Sequence, residues 1–266
     1  MSSEESKSPR AIYLLPNLFT TAALFAGFYA IVAAMADRFE AAAVAIFIAM
    51  VLDGVDGRVA RMTNTQSAFG AEYDSLADMV SFGIAPALVM YQWALVYLDP
   101  LGFGWAKAGW LAAFLYTACA ALRLARFNTK VGTADKRFFQ GLPSPTAAAV
   151  LMGMVWVLHD LEVTGQTLRF VAMGVTIAVG LLMVSNVSYY SFKDLDFRNR
   201  VPFIALLVVV VLLVLASLDP PKILLAAFGI YTLSGPVIAL LRWRRKRVRA
   251  AESETASADT NGDDGG

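Results

Sequence analysis

Apolar residues fall in long, nearly unbroken blocks along the chain, each close to the roughly 20 residues a helix needs to cross a hydrocarbon core of about 30 Å. Eight such blocks lie near residues 11–36, 39–60, 71–97, 105–127, 144–160, 166–190, 201–218 and 222–241. Acids interrupt two of them. The second carries Asp53 and Asp56 at its far end, and the third has Asp74 and Asp78 in its first turns. The ten-residue alternation of a membrane barrel is absent, and a backbone in lipid must satisfy its own polar groups, so each block predicts a helix. The expected fold is an all-α integral membrane protein with about eight transmembrane helices. A polar N-terminal segment, 1–10, precedes a transmembrane domain, 11–249, and a polar acidic tail, 250–266, has nothing to pack and is expected to be disordered. The polar start and the many later blocks argue against a cleaved signal peptide.

Composition sharpens this picture. Of the 266 residues 58% are hydrophobic and 16% charged, against the roughly 25% charged of soluble domains. One cysteine, Cys119, excludes an internal disulfide and reads as a small packing residue, and one histidine, His159, excludes a histidine-based metal site. No nucleic-acid partner is expected. Lysine and arginine set the orientation, because short cytoplasmic loops are enriched in them. Placing both termini inside gathers Lys7, Arg10, Arg58, Arg61, Arg123, Arg126, Lys130, Lys136, Arg137, Lys193, Arg198, Arg200 and the cluster RWRRKRVR at the cytoplasmic face. Only Arg38, Lys107, Arg169 and Lys222 remain outside. The expected location is the cytoplasmic (inner) membrane, with the basic cluster against anionic headgroups.

Under this topology the end of the second helix and the start of the third meet the cytoplasm together. Asp53 and Asp56 are three residues apart and Asp74 and Asp78 four apart, so each pair shares a helix face. Intramembrane acids cost roughly 2.5–3.5 kcal/mol each on insertion scales and repel one another, so the cluster calls for a cation. Arg58 and Arg61 are too few to neutralise four acids. Carboxylates without histidine or thiol ligands suit a hard divalent ion, Mg²⁺, Mn²⁺ or Ca²⁺, and Mg²⁺ is commonly completed by substrate phosphates. Gly54, Gly57, Ala60 and Gly70 leave the helix faces without bulk for a phosphorylated ligand, and Arg61 offers a fork for phosphate. The competing reading has the small residues serving close helix packing and the acids pairing with Arg58 and Arg61.

These residues spell DG-x2-AR-x8-G-x3-D-x3-D from Asp56 to Asp78, preceded by Asp53. The pattern resembles the signature of the CDP-alcohol phosphatidyltransferase family. That resemblance implies six core transmembrane helices, often a homodimer, and a divalent-metal site open to the cytoplasm. It makes Asp53, Asp56 and Asp74 metal ligands, and Asp78 a ligand and the general base. Gly57, Ala60, Arg61 and Gly70 form the CDP-lipid cleft. Cytidine itself comes only from the resemblance. YLLPNLFTTAALFAGFYAI, RLARFN, FFQGLPSPTAAA and MVSNVSYYSFKD further resemble the serine-accepting branch of the family.

Free serine brings a carboxylate, an ammonium and a hydroxyl. Arg123, Arg126 and Asn128 supply cations and an amide for it, with an ordinary basic helix end as the plainer alternative. Ser144 is read as a helix N-cap first and a ligand group second, and Pro16, Asn17 and Thr20 as facing the cleft. The implied reaction transfers the phosphatidyl group of CDP-diacylglycerol to L-serine, assisted by Mg²⁺ or Mn²⁺, two ions fitting four carboxylates better than one. A sister transferase accepting glycerol 3-phosphate, inositol or choline is the nearest rival. A cation or proton transporter is the more distant one, but its inverted repeats and midplane acids are not seen.

Overall fold

The computed structural model describes residues 10–63, 65, 67–129, 138–190 and 218–261. Helix α1 (Arg10–Met35) and helix α2 (Phe39–Met62) form a hairpin through a short turn in which Asp37 has a φ of 57°. An aspartate visits that left-handed region more readily than most residues. The fully buried residues of the two helices are almost all alanine: Ala23, Ala26, Ala30, Ala33 and Ala34 join Ala42, Ala43, Ala45 and Ala49 in the buried core, with Ile46 the larger α2 side chain fully buried there. Methyl side chains let two backbones approach closely, which matters in lipid because tails as apolar as leucine give helices no hydrophobic reason to associate.

The third block forms one helical path with an irregularity. Helix α3 (Ala68–Asp78) passes into a π-helical turn (Met79–Ile84), then α4 (Ala85–Trp93), and bends by 46° into a 3₁₀ segment (Leu95–Leu101). Pro86 explains the π turn. It has no N–H to give to the carbonyl of Phe82, and in a regular α-helix its ring would collide with that group. The wider turn relieves the clash, the Ala85 N–H reaches back to the Val80 carbonyl, and Tyr116 supplies the missing donor to Phe82 at 3.0 Å. The third expected span is therefore a kinked path.

Next come α5 (Phe103–Thr129), strand β1 (Phe138–Gln140), α6 (Ser144–Asp160), α7 (Arg169–Val184), strand β2 (Ser188–Tyr190) and α8 (Pro220–Asn261). The two strands pair antiparallel, with Phe139 opposite Tyr189, and are the one departure from helix and turn among the described residues. The sixth block thus ends as a helix at Val184, and its last residues join this ribbon. Gly141, at a φ of 82°, turns the chain from β1 toward α6 with its backbone against the Met183 carbonyl, a place no side chain could share. Helix α8 continues through residues 250–261 of the tail, while the last five residues, the seventh block up to 217, and the cations Lys7, Lys130, Lys136, Arg137, Lys193, Arg198 and Arg200 lie outside the described residues.

Among the described residues, three helices are long and apolar enough to cross a membrane: Pro16–Met35, Phe103–Thr129 and Pro220–Leu241. The bent path Ala68–Trp93 with Leu95–Leu101 makes a fourth if counted as one span. The helix ends sort to two poles. At one, the Phe39 ring meets His159 edge-on at 6.2 Å and Trp105 meets Phe170 at 5.1 Å. At the other, Asn128 bonds Ser75 and Arg126 bonds Asn186, tying the end of α5 to α3 and to the chain after α7. The acids lie at this second pole.

Candidate metal and phosphate site

The last turns of α2 carry Asp53, Asp56, Gly57, Ala60 and Arg61, and α3 returns beside them. Ser67 caps α3, its Oγ accepting the Gly70 N–H at 3.0 Å, so a donor that would otherwise lack a partner at the helix start is satisfied. A Cβ on Gly70 would lie 3.1 Å from that Oγ and 3.5 Å from Asn17 Oδ1, so a side chain here would crowd the cap. Asp74 and Asp78 follow Gly70 at one-turn intervals on the same face.

Carboxylate oxygens of Asp53, Asp56 and Asp74 all lie within 4.8 Å of one another. Asp78 extends the group through side-chain contact with Asp53, and Asp74 touches Asp56. Asp56 is buried and accepts a hydrogen bond from Thr20 at 2.7 Å. Among the described residues no lysine or arginine forms an ion pair with any of the four acids; the one ion pair, Lys222 with Asp219, lies elsewhere. Asp74 Oδ1 is buried and has no hydrogen-bond partner among the described residues. An ionised carboxylate is acceptor-only, so this oxygen and the converging acids together fit a hard divalent cation. The pairing of the acids with Arg58 and Arg61 does not occur.

A cavity of about 330 Å³ opens beside the acids, lined by Pro16, Asn17 and Thr20 of α1, by Asp56, Gly57, Ala60 and Arg61 of α2, by Thr65 and Ser67, and by Gly70, Ala71 and Asp74 of α3. Small residues play different parts along α2. The alanines near its start pack on α1, whereas a Cβ on Gly54 or Gly57 would meet no atom within 4 Å. Gly57 therefore faces open cavity and not a neighbouring helix.

The residues expected around an amino-acid acceptor separate. Arg123 faces Asp78, Tyr231 and Tyr116; its Nη1 donates to Ser144 Oγ at 3.2 Å, and its buried Nε has no hydrogen-bond partner among the described residues. Arg126 spends its donors on the Val184 carbonyl and Asn186 Oδ1, and Asn128 gives its amide to Ser75 Oγ at 3.0 Å. Ser144 is not the cap of α6. Pro143 holds that position, and Ser144 is the first helical residue, with its hydroxyl turned to Arg123. Thr65, Ser67 and Ala71 on the cavity wall and Tyr231 beside Arg123 went unnoticed in the sequence. Thr65 and Ser67 lie in the polar stretch TNTQS between the two acid-bearing helices, a local signal that could have found them, but nothing local connects Tyr231 to a residue so distant along the chain.

Residues 13–182 match the family model described as CDP-alcohol phosphatidyltransferase. Over 251 residues the chain is 36% identical to a Helicobacter pylori protein named CDP-diacylglycerol–serine O-phosphatidyltransferase, covering 93% of this chain and 98% of that one. Proteins of the same name from Mycobacterium leprae and Saccharomyces cerevisiae are 40% and 37% identical over 156 and 151 residues, which cover 56% and 51% of this chain and 49% and 51% of theirs.

Proposed function

The chain belongs to the CDP-alcohol phosphatidyltransferase family, and we propose that it is a membrane-embedded transferase that moves the phosphatidyl group of CDP-diacylglycerol to the hydroxyl of L-serine, giving phosphatidylserine and CMP. A relative that spans nearly the whole chain carries the name of that reaction. The observation that carries the chemistry is the set of converging acids, with no paired cation among the described residues, beside a cavity lined by Gly57, Ala60, Arg61 and Gly70.

Asp53, Asp56 and Asp74, with Asp78, would hold one or two Mg²⁺ or Mn²⁺ ions. Bound there, the metal supplies charge neutralisation on the phosphate oxygens of the nucleotide lipid. The protein's own residues do the rest. Arg61 contacts phosphate from the cavity wall, and Gly57 and Gly70 keep that wall low enough for the pyrophosphate to approach. Asn17 is a polar group on the α1 side of the same cleft. Arg123 takes the serine carboxylate with its unpartnered edge, while Ser144 steadies its other side. Arg126 and Asn128 brace the pocket through the bonds they already make. Asp78, facing Arg123, accepts the proton of the serine hydroxyl as the new oxygen–phosphorus bond forms and the bond to CMP breaks.

The same reading gives eight spans around a six-helix core, a homodimer, the domain boundaries set out above, and acids facing the cytoplasm. The family and the distribution of basic residues support these features. CMP release by detergent-purified protein, with Mg²⁺ or Mn²⁺ and with serine, glycerol 3-phosphate, inositol or choline offered in turn, tests the function. Release that requires serine and stops with chelator is expected. Release with another acceptor would overturn the role of Arg123 and keep the acid site, and none with any acceptor in folded protein would overturn the transferase reading.

A further inference from the structure

Thr20 is a buried hydroxyl on the wall of the cavity, and its Oγ1 donates to Asp56 Oδ2 at 2.7 Å. The Pro16 carbonyl, one turn back, lies 3.2 Å from the same Oγ1. A hydroxyl has one proton, and an ionised carboxylate and a carbonyl are both acceptors, so the two bonds compete. The shorter contact is to the carboxylate, where charge makes a hydrogen bond roughly twice as strong. A threonine inside a helix ordinarily turns its hydroxyl back to the preceding turn. Thr21 does this, donating to the Asn17 carbonyl at 2.7 Å while meeting the Tyr73 hydroxyl at 2.9 Å. Thr20 is the one of the pair diverted to an acid.

Helix α1 is a firm base for that bond. Gly27 sits so close to the π turn that a Cβ there would come within 2.6 Å of Ser81 Oγ and 2.8 Å of Ser81 Cα, and Ser81 donates to the Ala23 carbonyl at 3.1 Å. One face of α1 is thus fixed against the element that follows Asp78, and the Thr20 bond joins α1 to the end of α2.

We propose that Thr20 is a positioning residue: it fixes the rotation of the Asp56 carboxylate so that the oxygens left free converge with Asp53 and Asp74 on one ion. This rests on the ion-binding reading of the acids given above. Partners of this kind, one bond removed from a metal, commonly change its affinity by about 10–100-fold. Without the hydroxyl the carboxylate keeps only its contacts with the Gly57 N–H and with Asp74, and each ion bound must restore the part of its order that Thr20 otherwise provides.

The test is a Mn²⁺ titration of the purified full chain, following the electron paramagnetic resonance signal of free Mn²⁺, for wild type, Thr20→Val, Thr20→Ser, Thr21→Val and Asp56→Asn. Valine keeps the shape without the hydroxyl, and serine keeps the hydroxyl. Thr20→Val should weaken Mn²⁺ binding about tenfold or more, with Thr20→Ser recovering most of it and Thr21→Val staying near wild type. Wild-type affinity in Thr20→Val, loss in Thr20→Ser as severe as in Thr20→Val, or an equal loss in Thr21→Val would overturn the inference. Asp56→Asn separates the two failures. If it binds Mn²⁺ like wild type, the ion does not sit on the acids and the inference goes with that reading; if it loses binding while Thr20→Val keeps it, only the role of Thr20 is wrong.

Discussion

Asp78 lies one turn beyond Asp74, against Asp53 and facing Arg123, so it is the acid placed between the expected ion and the expected acceptor. A base in that position contributes typically 100- to 10,000-fold to rate. Asp78→Asn should therefore lower CMP release at least about 100-fold while binding of CDP-diacylglycerol persists, because the remaining three acids still converge. Near-normal turnover in that variant would move the base elsewhere. At this scale the sequence was informative wherever spacing alone placed a side chain. The i, i+3 and i, i+4 intervals of the aspartates put them on shared faces, and that held. It was uninformative for Arg126 and Asn128, whose residue types suit a serine pocket but whose donors go to Val184, Asn186 and Ser75. A donor's partner is a tertiary fact, since it depends on which helix end happens to stand opposite.

Among the helices, glycine has two opposite uses, and substitution distinguishes them. Gly27 is a contact glycine: its added methyl would press on the Ser81 backbone, which no rotamer change can move aside. Gly27→Ala should cost about 1–3 kcal/mol, the usual penalty of overpacking, read as a lower unfolding temperature in detergent. Gly57 faces open space. Gly57→Ala should leave stability unchanged or raise it by up to about 1 kcal/mol through helix propensity, yet increase KM for CDP-diacylglycerol by filling the cleft. The reverse pattern, a stable Gly27→Ala and an unstable Gly57→Ala, would contradict the placement of both helices. From sequence, Gly57 was already read as part of the ligand cleft, whereas nothing local marked Gly27 as a contact. The π turn was hidden for a similar reason: Pro86 signals a broken bond, but whether the helix ends, kinks or widens depended on Tyr116, contributed by α5, being in place to satisfy Phe82.

Across the whole molecule, the four cations assigned to the outer face are each matched. Arg38 lies over the Tyr29 ring, Lys107 over Phe103, Arg169 over Phe170, and Lys222 pairs with Asp219. Cations so engaged suit an interfacial belt, and the acid cluster stands at the other pole. Single cysteines read the sidedness directly, because native Cys119 is buried. A membrane-impermeant maleimide added to intact cells should label Glu162→Cys and not Thr63→Cys, and inside-out vesicles should give the opposite result; the inverse pattern would turn the molecule over. The sequence by itself determined the helical membrane fold, the approximate position of most helices and the acids that share each face. Those features follow from local periodicity and from the need of a backbone in lipid to bond to itself. Tertiary structure alone decided that α1 supplies a hydroxyl to Asp56, that α8 brings Tyr231 to Arg123, and that two short strands join the chain after α5 to the chain after α7. Such contacts depend on how helices rotate and cross against one another, and apolar blocks of similar composition carry little record of those angles.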